Sequence, residues 1–223
     1  MKKNYWIALY VSFLVVHLTG IYLDNEALKY FSKPLLVILL IAYFLLQTRI
    51  WNDSLKQWII TALFFSWVGD ILLMFQEKDQ IFFLLGLSSF LLSQIFYIKF
   101  FHSVRVRENI KSSILLFFIV VIYYAGLIFL LSPYLGKMKL PVQIYGIVIS
   151  FMFLLALHML FIKNKTAGRM MMNGALLFVL SDSILAINKF FQPFEMAGII
   201  IMLTYGIAQL LITEGAIKYI RKN

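Results

Sequence analysis

Apolar residues in this chain do not alternate with polar ones. They run on for about twenty residues at a time, the length that crosses a bilayer core of about 30 Å as a helix. Eight such runs can be traced, at roughly Tyr5–Leu23, Tyr30–Leu46, Gln57–Phe75, Gln80–Phe101, Ser113–Ser132, Leu140–Ile162, Met172–Phe191 and Phe194–Ile217. A membrane β-barrel strand would instead alternate apolar and polar positions over about ten residues. The pattern therefore predicts an all-α, polytopic membrane bundle of eight transmembrane helices forming one domain. The first run follows Lys2 and Lys3 but has no small-residue cleavage site behind it, so it reads as a span and not as a cleaved signal. The longest polar stretch, His102–Ser112, is too short for a soluble domain.

Composition agrees with this picture. The chain of 223 residues is 62% hydrophobic and only 13% charged, whereas soluble domains are about a quarter charged. A water-soluble enzyme, a disordered chain and a fibre are excluded. The net charge of +10 comes from 20 Lys+Arg against 10 Asp+Glu. These basic residues sit in the short gaps between apolar runs, so they read as loop charges and not as a nucleic-acid surface. With eight spans, six of them (Lys29, Lys33, Lys78, Lys137, Lys139 and Lys189) fall on one side and the other 14 on the side of both termini. The positive-inside rule then predicts cytoplasmic termini and a multi-pass protein of the cell (inner) membrane. There are no cysteines, which removes thiolate metal sites and cysteine nucleophiles.

An even span count invites a search for halves. Gly20 aligns with Gly126, Lys33-Pro34-Leu35 with Leu140-Pro141-Val142, the segment around Asp70 with that around Asp182, and Gln94 with Gln209. Four spans per half predicts two parallel repeats, about 1–111 and 112–223, with Asp70 and Asp182 at matching depth between the middle and the outer end.

Two acidic residues stand out inside apolar runs: Asp70 and Asp182. A carboxylate at a helix centre costs about 2.5–3.5 kcal/mol to insert, so intramembrane acids mark function by default. Two carboxyls facing one dry cavity share a proton, which provides one acid and one base. Structural carboxylates, each satisfied by a neighbour, are the other reading. Polar residues gather nearby: Ser181 beside Asp182, Asn188 and Lys189 further along the same span, Gln94 with Tyr97 in span four, and Tyr205 with Gln209 in span eight. Pro34 suits a first helical turn and would place Lys33 near the outer interface. Lys33 and Lys189 either grip a phosphate together or extend into lipid headgroups. His17, His102 and His158 lack metal-ligand spacing, and no metal or cofactor is expected.

At these residues the chain resembles the YhhN-type, lysoplasmalogenase-like membrane family. The resemblance lies in Trp67-Val68-Gly69-Asp70-Ile71-Leu72-Leu73, in Gly86 to Tyr97 and in Gly174 to Ala186; Lys33-Pro34 and Tyr205 to Gln209 also fit. It covers nearly the whole chain. The family pattern often has His where Gln94 stands, and Gln cannot relay a proton near neutral pH. The resemblance implies hydrolysis of the vinyl ether bond of a lysoplasmalogen-type lysophospholipid to a fatty aldehyde and a glycerophospho-headgroup. Asp70 and Asp182 would be catalytic, with membrane lipids as surroundings and no cofactor. Which aspartate is acid and which base stays open. A small proton-coupled transporter and a non-catalytic lipid-binding protein are the competing readings.

Overall fold

A computed structural model describes residues 3–221. Lys2 and Lys222, counted above with the charges near the termini, lie outside the described residues. Among the described residues eight helices are long and apolar enough to cross a membrane: α1 (Lys3–Tyr22), α2 (Glu26–Thr48), α3 (Leu55–Leu73), α4 (Gln80–Arg107), α5 (Ile114–Leu131), α6 (Lys139–His158), α7 (Lys165–Ala186) and α8 (Ala197–Ile220). All eight expected spans are present. Polar side chains start several of them. Asn25, Asp79, Ser113 and Asn164 each accept a hydrogen bond from a backbone N–H of the first turn of α2, α4, α5 and α7, satisfying donors that have no intrahelical partner.

Two boundaries depart from the expectation. Helix α2 begins at Glu26 and not at Tyr30, because Asn25 caps it ahead of the apolar run. Pro34 therefore lies inside the helix and not in its first turn, and Lys33 sits two turns down from the helix start. Helix α4 runs on to Arg107, so most of the polar stretch 102–112 is helical.

Helices α3 and α4 form one close pair and α7 and α8 another. Glycine makes the contact in both, as is usual where helices pack without a hydrophobic driving force between them. A Cβ on Gly69 would lie 2.7 Å from the Phe90 ring. One on Gly174 would lie 2.8 Å from the Ala208 carbonyl oxygen. Helices α2, α6 and α8 complete the core, whereas α5 buries only Val120 and Leu131 and presents its other faces outward.

A third acidic residue inside the bundle escaped the reading of the spans. Glu214 of α8 is 3% exposed, accepts a hydrogen bond from Tyr43 and pairs with Lys3. It lies at the opposite end of the bundle from the two aspartates and ties α1 and α2 to α8.

Candidate functional site

Asp70 lies three residues before the end of α3, and Asp182 lies near the end of α7. The starts of α2, α4, α6 and α8 come to the same end of the bundle, and the six elements together with α1 enclose a cavity of about 510 Å³. Both carboxylates line it. Asp70 is 2% exposed and Asp182 is half-buried.

Each carboxylate is held by a tyrosine and not by the other. Tyr205 donates to Asp70 Oδ2 at 2.8 Å, and Tyr145 donates to Asp182 Oδ2. The two surroundings differ in charge. The Lys33 ammonium stands 3.8 Å from Asp70 Oδ1, whereas Asp182 makes no ion pair among the described residues. In a low-dielectric cavity an ion without a counter-ion is costly. The two carboxyls thus differ in what neutralises them, Asp70 having a cation at 3.8 Å and Asp182 none among the described residues.

A polar network lies under Asp70. Gln209 donates through Nε2 to Ser66 Oγ at 2.9 Å and to the Tyr205 hydroxyl at 3.3 Å. Its Oε1 accepts from Tyr97 at 2.6 Å, and Ser66 bonds Ser93 at 2.8 Å. Gln94 is fully buried beside Tyr145, with its amide atoms making no hydrogen bond of ordinary geometry. Gln209, braced by Tyr97, thus supports Tyr205, and none of Gln94, Tyr97 and Gln209 lines the cavity. The floor itself is aromatic. Phe90, Phe178 and Tyr205 meet edge to face at 5.5–6.4 Å, and Tyr97 meets Phe178 at 6.4 Å.

The remaining expected residues divide. Ser181 lines the cavity, but its hydroxyl is engaged with the Ile201 carbonyl at 3.0 Å. Asn188 also lines it, and its Oδ1 accepts from the Phe194 N–H at 3.1 Å, which fixes the turn into α8. Lys33 lines it. Lys189 does not: it is exposed, with its ammonium 5.0 Å from the centre of the Phe83 ring. The expected pairing of Lys33 with Lys189 therefore gives way to Lys33 with Lys29 and Lys78, which stand with Glu26, Glu77 and Tyr30 around the cavity. Lys29 is itself bound by Asp24 at 2.9 Å and Glu26 at 2.5 Å.

Two lining residues had not been singled out. Tyr145 carried no signal beyond being a tyrosine in an apolar run. His17, set aside for lack of metal spacing, is buried in the wall and shares a 2.8 Å hydrogen bond with Ser32. No group of three or more His, Cys, Asp or Glu that could hold a metal occurs among the described residues.

The chain is similar to proteins named lysoplasmalogenase. It is 32% identical over 171 residues to human lysoplasmalogenase TMEM86A, covering 72% of this chain and 65% of that protein. It is 31% identical over 157 residues to rat lysoplasmalogenase TMEM86B, covering 70% and 60%. With the lysoplasmalogenase of Mycobacterium tuberculosis (strain CDC 1551 / Oshkosh) it shares 29% identity over 163 residues, covering 72% and 60%. The matched stretch is thus less than two thirds of each relative's own length. No solved structure matches the chain. The profile of the YhhN family matches residues 28–216, a stretch that holds both aspartates, both tyrosines and Lys33, and the chain belongs to that family.

Proposed function

We propose that this protein is a membrane-embedded hydrolase that cleaves the vinyl ether bond of lysoplasmalogen-type lysophospholipids, releasing a fatty aldehyde and a glycerophospho-headgroup. The observation that carries the reading is the single cavity lined by Asp70 and Asp182, one with a cation beside it and one without, in a chain similar to named lysoplasmalogenases. Both termini lie in the cytoplasm of a cell whose inner membrane holds the protein, and the cavity opens on the outer side. A pseudo-repeat of residues 1–111 and 112–223 is supported by matching helix pairs: α3 with α4 and α7 with α8, α2 with α8 and α6 with α4.

Vinyl ethers hydrolyse through a cation. Asp182 gives its proton to the alkene carbon remote from the oxygen, leaving an oxocarbenium ion on the carbon that bears it. The Asp70 carboxylate stabilises that charge and takes a proton from a water molecule as the water oxygen adds to the same carbon. The product is a hemiacetal. It collapses when Asp70 returns its proton to the glycerol oxygen and the hemiacetal hydroxyl returns one to Asp182. One water is consumed and both carboxyls are restored. Glycosidases meet a similar cation with two carboxyl groups in the same division of labour. Tyr205 and Tyr145 hold the two carboxyls in position, and Gln209 supports Tyr205. Lys33, Lys29 and Lys78 attract the substrate phosphate.

The test is release of aldehyde by the purified protein in lipid nanodiscs from vinyl ether, alkyl ether and ester lysolipids, followed by mass spectrometry. Only the vinyl ether yields aldehyde, and Asp70→Asn or Asp182→Asn abolishes release while the protein still elutes as a folded species. Full activity in both variants, or no aldehyde from any vinyl ether lysolipid, overturns the reading.

A further inference from the structure

A lysolipid whose ether carbon lies between the two carboxyls has a long chain still to place, and the cavity does not continue beneath them. The floor is made by Phe90 and Tyr205, with Phe178 and Tyr97 packed against them beneath, each no more than 8% exposed. Toward α1 and α8 the wall is closed as well. A Cβ on Gly198 would meet Ile21 at 3.3 Å and one on Gly206 would meet Leu14 at 2.7 Å, so side chains already fill that seam.

One seam offers a way out. Between α4 and α6 the outer surface carries an apolar groove of about 250 Å³ lined by Leu84, Leu87, Ser88, Leu91, Pro141 and Ile144. Leu87 lines both this groove and the main cavity. The one hydroxyl in the groove is turned inward on its own helix, since Ser88 donates to the Leu84 carbonyl at 2.8 Å. Ile144 faces outward into the groove at 46% exposure, and the next residue, Tyr145, faces inward and holds Asp182. The groove and the main cavity thus share the Leu87 side chain as a common wall.

We propose that the alkenyl chain of the substrate leaves the cavity sideways past Leu87 and lies along the α4–α6 groove, which makes this seam the chain-binding subsite. The inference rests on the hydrolase reading and adds a direction to it. The chain-side carbon of the double bond is the one that takes the proton, and it comes to Asp182. The oxygen-side carbon and the glycerol come to Asp70 and Lys33.

The experiment fills the groove from its lipid-facing rim. Ser88→Trp and Ile144→Trp change residues on the groove and not the two carboxyls or their tyrosines, and Phe118→Trp, on an exposed face of α5 outside the groove, is the control. Aldehyde release is measured with vinyl ether lysolipids bearing long and short chains. Both groove variants lower the long-chain to short-chain ratio of kcat/KM by at least about tenfold, the effect of unburying roughly two methylenes, while Phe118→Trp keeps the wild-type ratio. An unchanged ratio in either folded groove variant overturns the proposal. Absence of aldehyde from every substrate in the wild type is a failure of the hydrolase reading instead. The subsite is then read from photolabelling with an alkyl ether lysolipid carrying a diazirine at the chain end. Labels concentrated on the groove and displaced by unlabelled ether lysolipid support it, and labels spread evenly over the lipid-facing helices overturn it.

Discussion

Replacing Tyr205 by Phe removes one oxygen atom and little else. The ring remains packed edge to face against Phe90 at 5.8 Å and Phe178 at 5.5 Å. Gln209 keeps Ser66 and Tyr97 as partners. What disappears is the 2.8 Å hydrogen bond to Asp70 Oδ2 and, with it, the longer 3.3 Å bond the hydroxyl accepts from Gln209. A hydrogen bond to a charged group contributes about 1.5–3 kcal/mol, and each 1.36 kcal/mol is tenfold in rate. If that bond places the Asp70 carboxylate for the oxocarbenium ion, Tyr205→Phe lowers kcat by about 10- to 150-fold. KM for the lysolipid stays near its wild-type value, because Tyr205 sits at the floor and the lysines stand nearer the helix starts. Aldehyde release, coupled to NADH oxidation by an alcohol dehydrogenase, separates the two constants. Tyr97→Phe is the internal control. It removes a donor from Gln209, one bond further from the carboxylate, and should cost no more than about threefold, the lower end of a neutral hydrogen bond. A Tyr205→Phe enzyme with kcat within about twofold of wild type, alongside an inactive Asp70→Asn, would show that the tyrosine does not position the base.

Three further outcomes follow from packing and charge. Gly174→Ala sets a methyl group 2.8 Å from the Ala208 carbonyl oxygen and the Ile212 nitrogen; backbone cannot give way as a side chain can, so the thermal midpoint in detergent should drop by the equivalent of about 1–3 kcal/mol, and an unchanged midpoint refutes the close α7–α8 contact. Glu214→Gln keeps an acceptor for Tyr43 but strips Lys3 of its counter-ion. Lys3 is 37% exposed and regains water, so stability falls by about 1 kcal/mol or less with kcat unchanged; lost turnover in a folded variant would connect this far end to the site. At the same end Asp53 binds Arg107 at 2.6 Å. Burial pushes the Asp53 carboxyl upward, but Arg107 and the Leu55 N–H outweigh it and hold the group below the usual carboxylate range. A depressed value stabilises the fold above the ordinary aspartate range and loses that contribution as pH falls through the lowered value, so thermal scans toward acid should show a step that Arg107→Gln removes.

Eight spans were legible because bilayer thickness imposes a run length that no loop here imitates. The start of α2 was not, since Glu26, Lys29 and Lys33 break the apolar run while leaving the helix intact. Asp70 and Asp182 could be found because an acid in a long apolar run is conspicuous. Tyr205 and Lys33 were singled out for the site, but not as partners of Asp70, and Tyr145 was not singled out at all. Tyr145 is 37 residues from Asp182 and Tyr205 is 135 from Asp70, and only folding brings them together. Glu214 sits near the edge of a span, and its counter-ion is 211 residues away. Lys189 was assigned by counting helical turns from Asp182, a count that assumes an unbroken α-helix. A π turn at Ile187–Phe191 interrupts it and leaves the lysine over Phe83.

Depth separates the hydrolase from the transporter reading. Transporters of repeated architecture bind near the middle of the bilayer, often where a helix is broken. Asp70 lies only three residues from the end of α3, about 5 Å at 1.5 Å per residue, and the helix that bears it is unbroken. Pro141 sits in the first turn of α6, and Pro34, interior to α2, follows Lys33 directly and lies in the half of that helix nearer the cavity mouth. In a lysolipid the ether linkage joins chain to glycerol, so it sits just beneath the charged headgroup and far from the bilayer centre. A carboxyl pair a turn or so below the helix ends, with lysines above and an aromatic floor beneath, meets a bond at that depth. An ion crossing the membrane would need a path past Phe90, Phe178 and Tyr97, whose rings pack at 6.4 Å and are no more than 8% exposed. Under the hydrolase reading, the same floor would hold the ether bond close to the interface, where water can reach it.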